Sequence, residues 1–310
     1  MKKLISLVLL ATLCIGVALP FAACGESTDY TVGICQLMVH PSLDAATQGF
    51  IDALTAKMEA AGKTVTIDKQ VAGDANLCGT VIGTLVAKNV DLIMANATPA
   101  LTAAAAATST IPVLGTSVTD YDDTFKNNIP ANVGGTSDAV PFADQAQMMI
   151  DTLGLVEGDT VGVLYCSAET NSLFQYNAVK AYFESKGITA TAYTFAETTD
   201  LQSVVSSAVN AGIKALYIPS DNTAAQNEAA IGMLASGANL PVYTSFSSAI
   251  GYASLAIDYY QLGYRTGEMA AEILLGNKTL ADYEIEVLTP SVEYNKELCE
   301  ALGITVPTEE

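Results

Sequence analysis

The sequence predicts an α/β protein of two domains, each built on a parallel β-sheet. Short apolar runs alternate with segments of helical spacing from Tyr30 onward. A polar stretch over 120–138, rich in Asn, Asp and Gly, interrupts this alternation, which then resumes with a second, similar set of elements. Residues 24–310 are also too many for one small core. Repeated β-α alternation predicts a parallel sheet with helices on both faces, here twice.

The first set contains four strands and three helices in alternation. Gly62 ends the first helix, and Thr98 is predicted to cap the third, with Pro99 at its first position. The strands are predicted at 31–38, 65–71, 91–97 and 111–117, and the helices at 46–61, 77–85 and 99–107. We interpret the polar stretch over 120–138 as the crossing to the second domain.

The second set also alternates helices and strands, and a shorter third set follows it. The helices of the second set are predicted at 141–153, 172–186, 200–211 and 223–236, and its strands at 160–166, 188–195, 214–218 and 241–246. The last elements are predicted as a strand at 254–257, a helix at 260–275, a strand at 283–288 and a helix at 295–302. We assign the N-terminal lobe to 30–138 plus 252–282, and the C-terminal lobe to 139–251 plus 283–310.

The N-terminus has the order of an export signal. Lys2 and Lys3 precede an apolar run over 4–19, which is shorter than a membrane-spanning helix requires. The residues before Cys24 resemble a bacterial lipobox, which implies cleavage after residue 23, a lipid on Cys24 and a linker over 24–29. The chain is then expected on the outer face of the cytoplasmic membrane, held only by this lipid. Ordinary cleavage without a lipid, leaving a periplasmic protein, is the alternative.

Charge and cysteine content exclude several partners and sites. The formal net charge of −20 opposes binding to nucleic acid or to an anionic membrane surface. Beyond the signal and Cys24, four cysteines remain, Cys35, Cys78, Cys166 and Cys299, without a CxxC pair or a nearby histidine. A zinc site and dithiol redox chemistry therefore lack support. Free, buried thiols are favoured over disulfides.

Polar residues cluster where the predicted strands end. In an open parallel sheet, ligands bind beyond the carboxyl ends of the strands, so these loops hold the candidate ligand-binding residues. They are Gln36, His40, Asn96, Thr98, Ser117, Asp120, Ser167, Asn171, Ser172, Asp221, Asn222, Thr223, Asp258 and Tyr259.

Several of these residues have a purely structural alternative. Thr98, Ser172 and the pair Asn222 and Thr223 open helices, where unpaired N–H groups hold a carboxylate or are simply capped. Asp221 and Asp258 fit a ligand ammonium as well as they fit a solvated loop. A pocket with donors at one end and carboxylates at the other would suit a zwitterion.

The single histidine has two alternative roles, and so do the aromatic residues of the loops. His40 either contacts the ligand or braces its loop, and as the only histidine it excludes a His-based triad. Aromatic side chains near the loops either stack on a flat ligand or belong to the core; these are Tyr121, Phe174, Phe246, Tyr259 and Tyr260. Catalytic and nucleotide-binding motifs such as GxSxG, HExxH, GxGxxG and the P-loop are absent, so the sequence predicts neither an enzyme nor a cofactor.

The ordered set of loop motifs resembles the substrate-binding proteins of ABC transporters, whose better-known members take tryptophan, tyrosine or phenylalanine. The motifs are ICQLMVHPSLD at 34–44 with QGF at 48–50, TPA at 98–100, VTD at 118–120, PSDNT at 219–223 and IDYYQLG at 257–263. The resemblance implies a type I periplasmic-binding-protein fold with three crossings between lobes. It implies an amino acid or similar small metabolite, bound at Gln36, Thr98, Ser117, Ser167, Asn171, Ser172, Asp221, Asn222 and Asp258.

The resemblance also implies the partners. A monomer is expected to deliver its ligand to a membrane permease. A sensory receptor subunit of the same fold and a secreted enzyme are the rival functions. A DNA-binding regulator is excluded by the charge and by the lack of a headpiece before Tyr30.

Overall fold

The computed structural model describes residues 29–306 and contains twelve strands and eleven α-helices within that range. In chain order they are β1 (Tyr30–Gln36), α1 (Pro41–Ala60), β2 (Val65–Val71), α2 (Cys78–Ala87), β3 (Leu92–Asn96), α3 (Thr98–Ala107), β4 (Val113–Val118), α4 (Tyr121–Phe125), β5 (Val133–Ser137), α5 (Phe142–Leu153), β6 (Thr160–Cys166), α6 (Thr170–Ser185), β7 (Thr189–Phe195), α7 (Thr198–Asn210), β8 (Leu216–Ile218), α8 (Asn222–Gln226), α9 (Glu228–Gly237), β9 (Val242–Thr244), β10 (Ala253–Ala256), α10 (Tyr259–Leu274), β11 (Glu286–Val287), β12 (Ser291–Tyr294) and α11 (Lys296–Leu302). Short 3-10 helices lie at Ala75–Leu77 and Leu280–Asp282.

The strands form two six-stranded sheets. Their orders are β11-β5-β4-β3-β1-β2 and β12-β10-β9-β8-β6-β7. Neighbouring strands are parallel except for the antiparallel pair β10 and β12. We call the first sheet with α1–α4 and α10 the N-terminal lobe, and the second sheet with α5–α9 and α11 the C-terminal lobe. The chain crosses between them three times, after β5, β10 and β11, which confirms the predicted fold class.

Both faces of each sheet are covered by helices. In β1, Val32 and Ile34 join a core with Phe50 of α1 and Met269 of α10. Cys35, on the opposite face of the same strand, packs in a core with residues of α2 and α3. Successive side chains of a strand point to opposite faces, so a strand buried on both sides reads as a continuous apolar run. This is why the sequence pattern located β1 correctly.

Two glycines of the family motifs allow α1 and α10 to pack closely. A Cβ at Gly49 would overlap the carbonyl oxygen of Tyr260, and a Cβ at Gly263 would overlap that of Ala46. Only glycine permits such an approach of two helix backbones. Helix α10 thereby joins the N-terminal lobe, although it follows most of the C-terminal lobe in sequence.

The stretch over 120–138 is more structured than the sequence predicted. It contains α4 and also β5, which lies between β4 and β11 in the first sheet. All five residues of β5 are buried, yet its sequence, VGGTS, has a single apolar side chain. The strand therefore carried no apolar run, and the interpretation of 120–138 as a crossing was wrong. The first crossing instead begins at Asp138.

Sheet pairing also corrects two lobe boundaries at the end of the chain. Strand β10 was assigned to the N-terminal lobe but pairs with β9 and β12 in the second sheet. Strand β11 was assigned to the C-terminal lobe but pairs with β5 in the first sheet. These strands have two to four residues, so pairing across the lobes, and not local pattern, decides their place. The predicted helix at 223–236 is in fact two helices, α8 and α9.

Predictions on the N-terminal segment lie outside the described residues. These are the signal peptide at 1–23, the lipid on Cys24 and most of the linker at 24–29. No helix within 29–306 is long and apolar enough to span a membrane.

Candidate functional site

Loops at the carboxyl ends of both sheets line a small cavity between the lobes. Five predicted ligand-binding residues lie in its wall, which is where the parallel-sheet rule places a site. The lining residues are His40, Ser42, Ser117, Asp138, Ser220, Asp221, Asn222, Ala225, Phe246 and Tyr259. They come from both lobes and from the first crossing.

Three buried atoms in this wall have no hydrogen-bond partner among residues 29–306. They are His40 Nδ1, Ser117 Oγ and Asp138 Oδ1, on side chains that are 6%, 7% and 4% exposed. Leaving a buried polar group unpaired costs about 1–3 kcal/mol. Three such atoms in one cavity therefore favour a polar ligand that pairs with them.

Asp138 is a residue of the cavity wall that the sequence analysis missed. It follows β5 directly, and Tyr259 Oη donates a hydrogen bond of 2.7 Å to its Oδ2. Burial raises the pKa of Asp138, while hydrogen bonds from Tyr259 and Thr119 oppose that rise. Because β5 was not predicted from the sequence, Asp138 was not recognised as a residue at the end of a strand. The signal that could have found it is the small-residue run VGGTS ending in a lone acid.

Asp221, predicted to hold a ligand ammonium, is already paired inside the C-terminal lobe. Its Oδ1 accepts the Ala224 N–H at 2.8 Å and caps α8, and its Oδ2 accepts the Cys166 N–H at 2.7 Å. Burial, followed by the nearby Glu169, raises the pKa of Asp221. This carboxylate therefore caps α8 and fixes the ends of β6 and β8 together, a role that the sequence analysis did not assign to it.

Glu169 occupies the helix N-terminus that was predicted to hold a ligand carboxylate. Its Oε2 accepts both the backbone N–H and the side-chain Nδ2 of Asn222, at 3.0 and 2.7 Å. Its Oε1 accepts the backbone N–H and hydroxyl of Thr223, at 2.8 and 2.7 Å. A carboxylate of the protein itself thus satisfies the first turn of α8.

His40 connects the two lobes. Its Nε2 lies 3.2 Å from Asn222 Oδ1, across the cavity wall. Burial lowers the pKa of His40, against opposing effects of Asn222, Glu169, Asp44 and Glu228. The imidazole is therefore neutral near pH 7. Its Nε2 therefore braces one lobe against the other, and contact of His40 with the ligand stays a prediction.

Gln36 and Asn96 brace the first loop of the N-terminal lobe. The Gln36 amide donates to Met38 O and Asp44 Oδ1 and accepts from the Thr47 hydroxyl, all at 2.7 Å. Asn96 donates to Leu43 O and to the same hydroxyl, at 2.8 and 2.9 Å. Neither residue lies in the cavity wall. Their amides hold the start of α1, and thus His40, in place.

The ends of β3 and β4 have unusual backbone conformations. Ala97 has φ 88° and Ser117 has φ 56°, in the region that favours glycine. Ala97 is the N-cap residue of α3, so Thr98 begins that helix and does not cap it as predicted. Such strain persists where surrounding structure imposes it, and here it orients Ser117 toward the cavity.

The other predicted residues lie around the cavity and outside its wall. Asn171 Nδ2 donates to Ser220 O at 2.8 Å, which ties α6 to the end of β8. Ser172 is fully buried, and its hydroxyl accepts a hydrogen bond from Asn171 Nδ2 at 3.5 Å. Ser167 is exposed and donates to Phe195 O at 3.3 Å. Asp120 and Asp258 cap α4 and α10, accepting the N–H groups of residues 123 and 261.

Two of the five aromatic candidates line the cavity. They are Phe246 and Tyr259, both less than one-tenth exposed. Tyr121 is a core residue whose hydroxyl donates to Thr136 O at 3.1 Å. Phe174 packs edge-on against Phe142, and Tyr260 bonds to Asp52.

A second buried hydrogen bond crosses between the lobes. Gln175 Nε2, from α6, donates to Thr119 Oγ1 of the N-terminal lobe at 3.2 Å. Gln175 Oε1 accepts the Ser220 N–H at 2.9 Å and the Ser245 hydroxyl at 3.3 Å. Thr119 also lowers the pKa of Asp138, against the effect of burial. One chain of contacts therefore links the cavity wall of the C-terminal lobe to the acid after β5.

The thiols and acids of residues 29–306 form no metal site. No cluster of three or more His, Cys, Asp or Glu side chains is placed to hold an ion in this range. Within the described part of the chain, Cys35, Cys78, Cys166 and Cys299 are unpaired and buried, as favoured from sequence.

A family model and several known proteins match nearly the whole of this chain. The model, described as ABC transporter substrate binding protein, matches residues 31–309. A tyrosine-binding protein of Clostridioides difficile is 31% identical over 282 residues, covering 88% of this chain and 81% of the relative.

Solved structures agree with that match. An ABC domain from Streptococcus pneumoniae in complex with L-Trp has a TM-score of 0.80 at 32% identity, covering 89% of this chain and 96% of its own. A conserved domain protein from Vibrio cholerae has a TM-score of 0.81 at 29% identity, covering 90% and 96%. The ligand-free, open structure of a substrate binding protein from Clostridium difficile has a TM-score of 0.67 at 30% identity, covering 91% and 97%. The chain therefore belongs to the family of ABC transporter substrate-binding proteins.

Proposed function

We propose that this protein is the exported, solute-binding subunit of an ABC importer, tethered to the membrane through Cys24. Its ligand is an amino acid with an aromatic side chain, bound between the lobes. The observation that carries the proposal is a set of three buried atoms in one cavity between the lobes, none of which has a partner among the described residues 29–306. They are Asp138 Oδ1, Ser117 Oγ and His40 Nδ1.

The zwitterionic head of the ligand is assigned to the ends of β5 and β4. Asp138 Oδ1 accepts the ammonium, because a buried carboxylate gains most from a cation that also hydrogen bonds. Ser117, at the end of the neighbouring strand β4, donates its hydroxyl to the carboxylate of the ligand. The next strand of the sheet is β3, which leads into the first turn of α3 at Thr98. Phe246 offers an apolar ring for the side chain of the ligand.

Relatives support this ligand class. One is a tyrosine-binding protein, and one structure holds L-Trp. At similar identity, the TM-score is higher with the L-Trp complex than with the ligand-free open structure, 0.80 against 0.67. We infer from this difference that the lobes of this chain are arranged more as in the L-Trp complex than as in the open structure. A ligand that contacts both lobes stabilises that arrangement, which the permease would then recognise.

Calorimetry of residues 24–310, produced without lipid, tests the proposal. L-tyrosine, L-tryptophan and L-phenylalanine are titrated beside L-leucine and L-glutamate. Binding of one aromatic amino acid per chain, with a rise in melting temperature that grows with its concentration, is expected. If none of the three changes either measurement, the assignment of an aromatic amino acid fails.

A further inference from the structure

His40, Asn222 and Glu169 form a hydrogen-bond chain with only one consistent set of donors and acceptors. Glu169 accepts four hydrogen bonds from Asn222 and Thr223 and is therefore an ionised, acceptor-only carboxylate. The Asn222 group that faces it must be the NH₂ donor. Asn222 Oδ1 then faces His40 Nε2, at 3.2 Å, and can only accept.

The tautomer of His40 follows from this chain. A neutral imidazole carries one proton, and Nε2 must hold it in order to donate to Asn222. Nδ1 is left as a bare acceptor. It is buried, lies in the cavity wall and has no partner in the part of the chain that the structure describes.

The position of His40 separates it from the zwitterion end of the cavity. It follows β1, whereas Asp138 follows β5, and the sheet order places β3 and β4 between those strands. The two residues therefore follow different strands of the sheet, and both line the same cavity. With the ammonium assigned to Asp138, we assign the side chain of the same ligand to the His40 end of the cavity.

We propose that Glu169, acting through Asn222, holds His40 as the Nε2–H tautomer, so that its bare Nδ1 accepts a hydrogen bond from an O–H or N–H donor on the ligand's side chain. This rests on the proposed function and sharpens it. A phenol or indole satisfies His40, whereas a phenyl ring leaves Nδ1 buried and unpaired. Sites that hydrogen bond a substrate group reject analogues that lack it for this reason. His40 thus determines specificity, and Glu169 is a positioning residue.

The single histidine makes the tautomer directly measurable. Untagged protein labelled with ¹⁵N-histidine gives long-range proton–nitrogen spectra of His40 alone. Without ligand at pH 7, Nε2 should appear as the protonated nitrogen and Nδ1 as the unprotonated one. A protonated Nδ1 in this spectrum overturns the inference.

Two carboxylate variants separate positioning from general electrostatics. E169Q should weaken the tautomer preference, because Asn222 can then rotate and offer either group to His40. E228Q is the matched control, since Glu228 lies near His40 but bonds to Ser248 and not to Asn222. An E169Q spectrum identical to wild type, in a variant that remains folded, contradicts the role of Glu169.

Ligand titrations test the acceptor role. L-tyrosine or L-tryptophan should shift the Nδ1 resonance, and L-phenylalanine should bind roughly tenfold to a hundredfold more weakly without that shift. In H40F this discrimination should largely disappear. Equal binding of tyrosine and phenylalanine to wild type overturns the inference while leaving the proposed function intact. If no amino acid binds, the proposed function fails and the ligand half of the inference with it, while the ligand-free spectrum still decides the tautomer.

Discussion

The two sides of the cavity satisfy their polar groups in opposite ways. On the C-terminal side, Glu169 accepts four hydrogen bonds and both oxygens of Asp221 are paired with backbone N–H groups. On the N-terminal side and at the first crossing, Ser117, Asp138 and His40 each keep an atom without a partner within residues 29–306. Both sides bury their polar groups, so burial alone does not distinguish them.

This difference separates structural from recognition residues. Carboxylates whose two oxygens already accept hydrogen bonds from the protein stabilise loops and are less available to a ligand. Buried polar atoms without a hydrogen-bond partner lower the stability of the ligand-free protein, and they gain most when a ligand pairs with them. Substitutions on the C-terminal side should therefore lower stability, and those on the N-terminal side should lower affinity.

Replacing Asp138 is the sharpest test of this contrast. D138N keeps the shape of the side chain but removes its charge. The dissociation constant of the aromatic amino acid, measured by calorimetry, should rise about a hundredfold or more, as for other buried charge pairs. Because burial raises the pKa of Asp138, wild-type affinity should also fall as the pH is lowered and this carboxylate takes up a proton.

D258N is the matched control, because Asp258 is exposed and asparagine caps helices equally well. Its affinity should equal that of wild type. Wild-type affinity in D138N would remove Asp138 from the site.

Replacing Asp221 should lower the stability of the C-terminal side of the cavity. D221A loses the α8 cap and leaves the buried Cys166 N–H unpaired, so the free energy of unfolding should fall by about 2–4 kcal/mol in urea denaturation. The affinity of the folded fraction should change less than in D138N.

D120A, which removes only the cap of α4, is the comparison and should cost about 1 kcal/mol. A stable D221A protein that no longer binds would restore Asp221 as the ligand's ammonium partner.

The smallest predicted effect concerns the hydrogen bond that joins the two sides. T119V removes the acceptor of Gln175 and the hydroxyl that supports Asp138, so affinity should fall about fivefold, or roughly 1 kcal/mol. Q226A, which removes the exposed interlobe bond to Val39 O, should leave affinity unchanged. Equal effects of the two variants on affinity would show that the contacts of the Thr119 hydroxyl with Gln175 and Asp138 do not contribute to ligand binding.

Much of the site could be located from sequence because its loops follow strands with continuous apolar runs. His40, Ser117 and Asn222 were placed correctly at strand ends that line the cavity. Asp138 could not be found this way, since β5 owes its strand conformation to its neighbours β4 and β11 and not to its own side chains. Asp221 was found but given another role, because its partner, Cys166 N–H, lies 55 residues away.

By itself, the sequence determined the α/β class, the two-part order of elements and the polar strand ends, because apolar periodicity and helix caps are local properties. Only the tertiary structure decided which short strands join which sheet, which carboxylates are already paired, and which nitrogen of His40 faces the cavity. Those depend on groups far apart in the chain, whose hydrogen bonds form only when both sheets and all three crossings are in place.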